Sequence, residues 1–252
     1  MGNTYKAPVV RKAFSILELL SRRERELSVT DLAQALQIGK STVLGILAAL
    51  EQAGAVVRDP ATKRYGLGMT LFELGRAVDA RLDLKDVARP VLTQLMDRSR
   101  QSVFLGVRAD DHVTILDIVE SREDMKITSP VGTRLPLLAG ATGKVFLACL
   151  PETQARKLVR AKGLRRYTAN TITDPERYLK ALADVRRNGF ALDDEEYIPG
   201  VRAVASPILD GGRQPAAIWV VGFTPNMDGD KLRMIARETR LAAEAVGRRM
   251  SP

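Results

Sequence analysis

Residues 28–68 read SVTDLAQALQIGKSTVLGILAALEQAGAVVRDPATKRYGLG. Apolar side chains at Leu32, Ala35, Leu36 and Ile38, then at Val43, Ile46, Leu47 and Leu50, form two helical stripes, broken between Gln37 and Lys40 by a step that contains Gly39. Two short helices joined by a tight turn are expected. Ser28 stands three residues before Asp31, the capping-box spacing, so the first helix starts there. The second opens with Lys40, Ser41 and Thr42 and ends at Gly54. Residues 55–58 then alternate as a strand, a turn over residues 59–62 reverses the chain, and residues 64–67 return. A helix-turn-helix followed by a basic hairpin is a winged helix, an arrangement that reads DNA. Arg58, Lys63 and Arg64 on the wing are expected to meet phosphates, and residues 40–45 to meet base edges, with Ser28 and Thr30 beside them at the start of the first helix. A preceding helix over residues 10–20 closes this small core. The cations Arg11 and Lys12 in its first turn oppose the helix dipole, which suits phosphate contact better than helix stability.

At 252 residues the chain can bury more than one core, and 45% hydrophobic with 27% charged residues describes an ordinary globular protein. The expected division is a DNA-binding domain over residues 8–68, a linker helix over 69–84 and a second domain over 85–250. Net charge is +9, of which residues 1–68 supply +4, from ten Lys or Arg against six Asp or Glu. That favours a polyanionic partner without naming one. The single cysteine, Cys149, excludes an internal disulfide framework and leaves too few soft ligands for a structural zinc site. No apolar run approaches 18 residues and the N-terminus lacks an apolar signal core, so a cytoplasmic protein with no membrane partner is expected.

Residues 69–83, MTLFELGRAVDARLD, read as the linker helix, and residues 83–101 as a second helix that Pro90 kinks or restarts. Leu71, Phe72, Leu74 and Val78 form an apolar face that a domain this small does not cover, so pairing with a second subunit is expected. From Ser102 the pattern turns to strands: a hairpin over residues 102–121, and a third strand over 126–131. Helices follow over 141–150, 151–162 and 174–188, the last stopped by Gly189. Strands over 203–209 and 216–223 turn through Gly211 and Gly212, and a final helix covers about 228–249. The fold class is α+β, with helices on an antiparallel sheet.

With both halves laid out, the chain resembles the IclR (isocitrate lyase regulator) family of bacterial transcription factors over nearly its whole length. The N-terminal resemblance rests on KSTV (40–43), ALEQAG (49–54), VVRDPATKRYGLG (56–68) and FELG (72–75). The C-terminal one rests on VGTRLPLLAGATGKVFLA (131–148), YTANTITDP (167–175), NGFALDDEEYIPGVRAVASPI (188–208) and AAIWVVG (216–222). It implies a GAF-like effector-binding domain, a homodimer or homotetramer, and binding to double-stranded operator DNA that responds to a small molecule. Two departures from the family pattern bear on function. Leu44 and Gly45 follow STV where the family often carries a polar residue or Arg, and a mid-helix glycine costs about 1 kcal/mol against alanine. Either backbone approaches DNA closely at Gly45, or specificity has moved to Lys40, Ser41, Thr42 and the wing; the second is preferred. The effector pocket implied by the resemblance maps onto Leu135, Gly140, Ala141, Thr142, Asp193, Ala203, Trp219 and Val221. Ala203, Trp219 and Val221 replace a cysteine-type position and small hydroxyls, so a larger or more apolar effector than a two- or three-carbon acid is expected, aromatic carboxylates included. Trp219 either lines that pocket or fills the core.

Other chemistry fits poorly. GATGK at 140–144 resembles a phosphate loop but has Leu138 in place of the first glycine and Val145 in place of the magnesium-binding hydroxyl. Its expected role is to offer the backbone N–H groups of residues 140–143 to an effector carboxylate, with no use of the lysine. Asp193, Asp194, Glu195 and Glu196 read as a solvated turn with Asp193 or Glu195 pointing inward. His112 is the only histidine and is expected at the surface, so no catalytic residues, metal site or cofactor are assigned. The competing classes are a metabolite-binding enzyme with an N-terminal interaction module and an architectural DNA binder without a ligand.

Overall fold

A computed structural model describes residues 7–22, 25–79, 83–109, 111–209 and 216–250. The chain divides into two compact units, residues 1–82 and 83–252.

In the first unit, α1 (Pro8–Ser21) starts two residues before the expected Val10, because Pro8 supplies a helix-ready φ at the first position. Then come α2 (Val29–Leu36) and α3 (Lys40–Gln52). The Ser28 hydroxyl accepts the Asp31 N–H at 3.2 Å while the Asp31 carboxylate accepts the Ser28 N–H at 2.9 Å, a complete capping box. The turn to α3 is made by Gln37, at φ 54°, and Gly39 has an ordinary φ of −59°. Ala35, expected inward, is exposed, and Ala33 is buried in its place. Helix α3 ends in a Schellman turn: Gly54, at φ 69°, donates to Glu51 O, and Ala55 donates to Leu50 O. The wing is β1 (Val56–Arg58) paired antiparallel with β2 (Tyr65–Leu67). Its base is tight, since a side chain at Gly68 would run into the carbonyl of Gly54. Ile16, Leu20, Leu32, Val43, Leu47, Val56 and Tyr65 make the core. Helix α4 (Met69–Asp79) follows. Of its expected apolar face, Leu71 is half-buried, Phe72 and Leu74 are exposed, and the side chain of Val78 lies outside the described residues.

The second unit is a six-stranded antiparallel sheet in the order β5-β4-β3-β8-β7-β6. The strands are β3 (Ser102–Arg108), β4 (His112–Val119), β5 (Arg134–Pro136), β6 (Ala191–Asp194), β7 (Val201–Ile208) and β8 (Ala216–Phe223). Helices cover both faces, so the central strands are apolar on both sides. Val103, Leu105, Val204, Ile218 and Val220 face α5 (Asp83–Ser99) and α9 (Gly229–Met250). Phe104, Ala203, Ala205 and Trp219 face α6 (Gly140–Ala148), α7 (Glu152–Lys162) and α8 (Pro175–Asn188). Pro90 lies inside α5 without ending it.

Two expectations are corrected. Residues 126–131 form no strand; the strand beside β4 at this edge is β5. Pro130 lacks an N–H for a ladder, and its carbonyl accepts the Thr133 N–H in a turn that puts Gly132 at φ 87°. Pairing with Ile115 begins only at Gly132 and Thr133. The acidic run is likewise not a solvated turn throughout, since Asp193 and Asp194 end β6. The expected turn at Gly211 and Gly212 lies outside the described residues. Replacing Gly68 with alanine should destabilise the winged helix by roughly 1–3 kcal/mol, measured as a lower denaturation midpoint for full-length Gly68→Ala; an unchanged midpoint would show that the wing base yields.

Candidate nucleic-acid interface and ligand cavity

Helix α3 buries Val43, Ile46 and Leu47 and turns its first residues outward. Lys40, Ser41 and Thr42 are exposed there, and no side chain caps the helix, so its first-turn N–H groups and positive dipole end face solvent. Gly45 is exposed one turn on, with nothing within 4 Å of where a Cβ would stand. No close approach within the chain requires glycine at that position.

The wing turn is held by Asp59, whose carboxylate accepts the N–H groups of Ala61 and Thr62, each at 2.7 Å. These two bonds hold its carboxyl below the usual carboxylate range. Lys63 projects from this turn at φ 58°, and the Arg58 guanidinium lies 5.6 Å from the centre of the Tyr65 ring. Arg64 points back into the protein: its guanidinium donates to Glu26 O at 3.1 Å and to the Asp31 carboxylate at 3.2 Å. The wing is thereby tied to the capping box of α2, where the Ser28 hydroxyl is engaged as well. Thr30 and Arg11 are exposed and Lys12 is half-buried.

In the second unit a cavity of about 340 Å³ opens beside the N-terminus of α6. All eight residues mapped there from the sequence line it: Leu135, Gly140, Ala141, Thr142, Asp193, Ala203, Trp219 and Val221. Trp219 does both of the things considered for it. Only 3% exposed, it stacks on Phe104 with ring centres 5.6 Å apart and 6° between planes, and it still forms a wall of the cavity. Its six-membered ring fits only because residue 106 is glycine. A Cβ there would stand 2.7 Å from Trp219 Cη2 and 2.6 Å from Thr114 O, at a break in the β3–β4 register.

The lining residues that the sequence did not reveal include Phe104 and Ile115 from β3 and β4, and Ile127, Thr128 and Ser129 from the segment whose alternation mimics a strand. Others are Thr133, Arg134, Ala139, Tyr197, Ile198 and Val201. Alternation along β3 and β4 gives the face that Phe104 and Ile115 occupy, but only strand register shows that this face meets the loop before α6.

Helix α6 has no side-chain cap, and its first internal bond is Gly143 N–H to Ala139 O. That leaves the N–H groups of Gly140, Ala141 and Thr142 without partners inside the helix, at the cavity wall. Lys144, given no part in ligand binding by the sequence, is buried. Its ammonium donates to Leu192 O at 2.7 Å and to the Glu196 carboxylate, with side chains only 6% and 13% exposed. The loop after β6 is further fixed by the Thr168 and Thr171 hydroxyls, which donate to Glu195 O and Glu196 O, each at 2.6 Å. Of the two candidates for the inward acid, Asp193 is buried at the cavity, and the Glu195 carboxylate instead accepts the Gly200 N–H at 2.8 Å. Burial pushes the Asp193 carboxyl up to about 6; the Glu196 charge adds to this, while the Glu196 N–H and Lys144 oppose it.

His112, expected at the surface, is half-buried at the start of β4, with Nδ1 2.8 Å from the Asp111 carboxylate. Among the described residues no group of three or more His, Cys, Asp or Glu could hold a metal, and no single helix is long and apolar enough to cross a membrane. Removing one partner of the Lys144–Glu196 pair strands the other charge in the interior, a cost of about 3–5 kcal/mol. Lys144→Met should therefore unfold the second unit at clearly lower denaturant, with part of the loss restored by adding Glu196→Gln; a neutral single variant would contradict this.

Comparison with known proteins identifies both units. Residues 9–60 match the IclR helix-turn-helix domain, and residues 76–248 match the bacterial transcriptional regulator IclR C-terminal domain. The chain is 34% identical over 242 residues to the HTH-type transcriptional regulator BhcR of Paracoccus denitrificans, covering 96% of this chain and 86% of that protein. A solved IclR transcriptional regulator from Alicyclobacillus acidocaldarius has a TM-score of 0.85 at 30% identity, covering 98% of this chain and 100% of its own. An IclR homologue from Microbacterium hydrocarbonoxydans, solved in complex with 4-hydroxybenzoate, shares the fold with a TM-score of 0.81 at 24% identity, over 96% of this chain and 98% of its own. With both family domains matched in order along one chain, this chain belongs to the IclR family of ligand-responsive, DNA-binding transcriptional regulators of metabolic operons.

Proposed function

We propose that the cavity beside α6 is the effector site and that its ligand is an apolar or aromatic carboxylate. The observation that carries this reading is the convergence of eight residues from five separate stretches of sequence on one cavity, walled by the stacked Phe104 and Trp219. The ligand carboxylate lies against the free N–H groups of Gly140, Ala141 and Thr142, and its apolar body lies against Trp219 and Val221. A solved protein of the same fold is complexed with 4-hydroxybenzoate, a molecule of this class.

On the DNA side, we assign base contact to Lys40, Ser41 and Thr42, with Gly45 allowing close approach. Phosphate contact falls to Arg11, Lys12, Thr30, Arg58 and Lys63. Ser28 and Arg64 act through structure instead, holding the wing against α2, because their polar groups are already engaged. The domain boundaries proposed are residues 8–68 for DNA binding, 69–84 for the linker and 85–250 for the effector domain. A second copy of the chain completes the regulator: Met69, Phe72 and Leu74 on α4 are 67%, 62% and 60% exposed, and a paired operator is read by paired winged helices. Effector binding then biases the paired geometry by a coupling of about 1–3 kcal/mol.

Trp219 is the only tryptophan, so its fluorescence reports occupancy of the cavity directly. Titration with 4-hydroxybenzoate should perturb that emission more strongly than pyruvate or glyoxylate; tight binding of the small acids alone would overturn the aromatic assignment. Affinity should also depend on pH in a defined sense. Asp193 titrates near 6, so it is neutral below that value and a repelling anion above it. Binding of the carboxylate should weaken several-fold between about pH 5 and pH 8, a tenfold change corresponding to about 1.4 kcal/mol. Asp193→Asn should flatten the profile; a wild-type affinity that rises with pH would refute this placement of the ligand. For assembly, Phe72→Asp should shift the protein toward monomer in sedimentation and weaken operator binding, whereas an unchanged oligomer would place the interface elsewhere.

A further inference from the structure

The basic charge of the second unit is concentrated in one place. Residues 152–187 hold ten Lys or Arg against four Asp or Glu, while the rest of residues 69–252 hold nineteen against twenty. The whole cationic excess beyond the winged helix therefore falls on α7, α8 and the loop between them. The inner faces of the two helices, Ala155, Val159, Tyr178, Leu179, Leu182 and Val185, are buried in the core beneath the sheet, which turns the cations outward. Some of those cations are neutralised: Arg156 bonds Glu176 at 2.7 Å, and Arg187 bonds Asp184 at 2.5 Å. Lys157, Arg165, Arg177 and Lys180 are exposed and have no acidic side chain within 4 Å among the described residues.

We propose that this α7–α8 face is a second phosphate-binding surface, which engages double-stranded DNA flanking the segment read by the winged helix. One observation and two physical arguments select this partner. No large apolar side chain in residues 152–187 is exposed, so the face lacks the apolar centre that a protein partner would bury. Phosphate binding needs no such centre, only cations spaced along a surface. Finally, the winged helix on the same chain holds DNA, which raises the local concentration of flanking phosphates for any other basic face of the molecule. The inference rests on DNA binding by the winged helix and not on the operator contacts or the effector assigned above.

The test uses the full-length protein and DNA from upstream of its own coding region. Binding is measured by anisotropy on the shortest duplex that footprinting defines and on the same duplex extended by roughly two helical turns on each side, across a salt series. The variant combines Lys157→Gln, Arg165→Gln, Arg177→Gln and Lys180→Gln, none of which strands an acid; an unchanged melting temperature verifies its fold. Wild type should bind the extended duplex at least several-fold more tightly than the short one. The variant should lose that advantage, and its slope of log affinity against log salt on the extended duplex should be shallower by about 2–4, at about 0.9 for each phosphate that is no longer neutralised. The two proteins should match on the short duplex. Equal affinity of wild type for both duplexes, or a variant with unchanged slope and length dependence, would overturn the proposal. A variant with unchanged DNA binding that loses control of purified RNA polymerase would also overturn it, in favour of an acidic protein partner.

Discussion

The effector domain is organised around a buried charge. Lys144 sits inside α6, every residue of which is buried, and an ammonium there is tolerable only because Glu196 and the Leu192 carbonyl receive it. Glu196 belongs to the loop after β6 and Leu192 to β6 itself, so one ion pair fixes the start of α6 against an edge strand and the turn that follows it. The free N–H groups of the helix and the Asp193 carboxyl are set facing one cavity as a result. The arrangement resembles a phosphate-binding loop in sequence and works in the opposite way. Its lysine is consumed by the fold, and the cavity is faced instead by backbone and the Asp193 carboxyl.

The winged helix shows a similar economy at its surface. Asp31 closes the capping box of α2 and also receives Arg64 from the wing. Helix and wing thereby meet at one carboxylate, beside the paired backbone bonds between Leu27 and Tyr65. Bonds from Ser28 and the nearby arginine charges hold that carboxyl below its ordinary range. An exposed ion pair of this kind contributes little stability. What it supplies is direction, since it decides which wing cations remain free to face DNA.

The sequence was most readable where structure is local. Helix caps, the glycine stop of α3, the wing and the helices after Gly140 depend on neighbours within four residues, and their signals stand in order along the chain. The eight cavity residues came from family resemblance, not from any local pattern. Reading failed where long-range pairing overrides the local signal. Strand β6 reverses the usual pattern, with Asp193 inward and Leu192 partly exposed, so no alternation marks it. Residues 126–131 alternate as a strand should, yet have no partner in register, and residues 127–129 instead wall the cavity. The contacts of Arg64 and Lys144 were not legible for one shared reason: their acidic partners lie 33 and 52 residues away.

Trp219 and Gly106 occupy a single volume shared between two neighbouring strands. Neither can vary freely: a larger residue at 106 expels the indole, and a smaller one at 219 leaves a void over Gly106 and deprives Phe104 of its stacking partner. A lineage that changed the volume of the cavity through this wall would have to pass through a strained or hollow intermediate, or alter both positions together. Ala203 and Val221 stand directly opposite each other on β7 and β8, so this part of the wall too changes shape most readily when both positions change together.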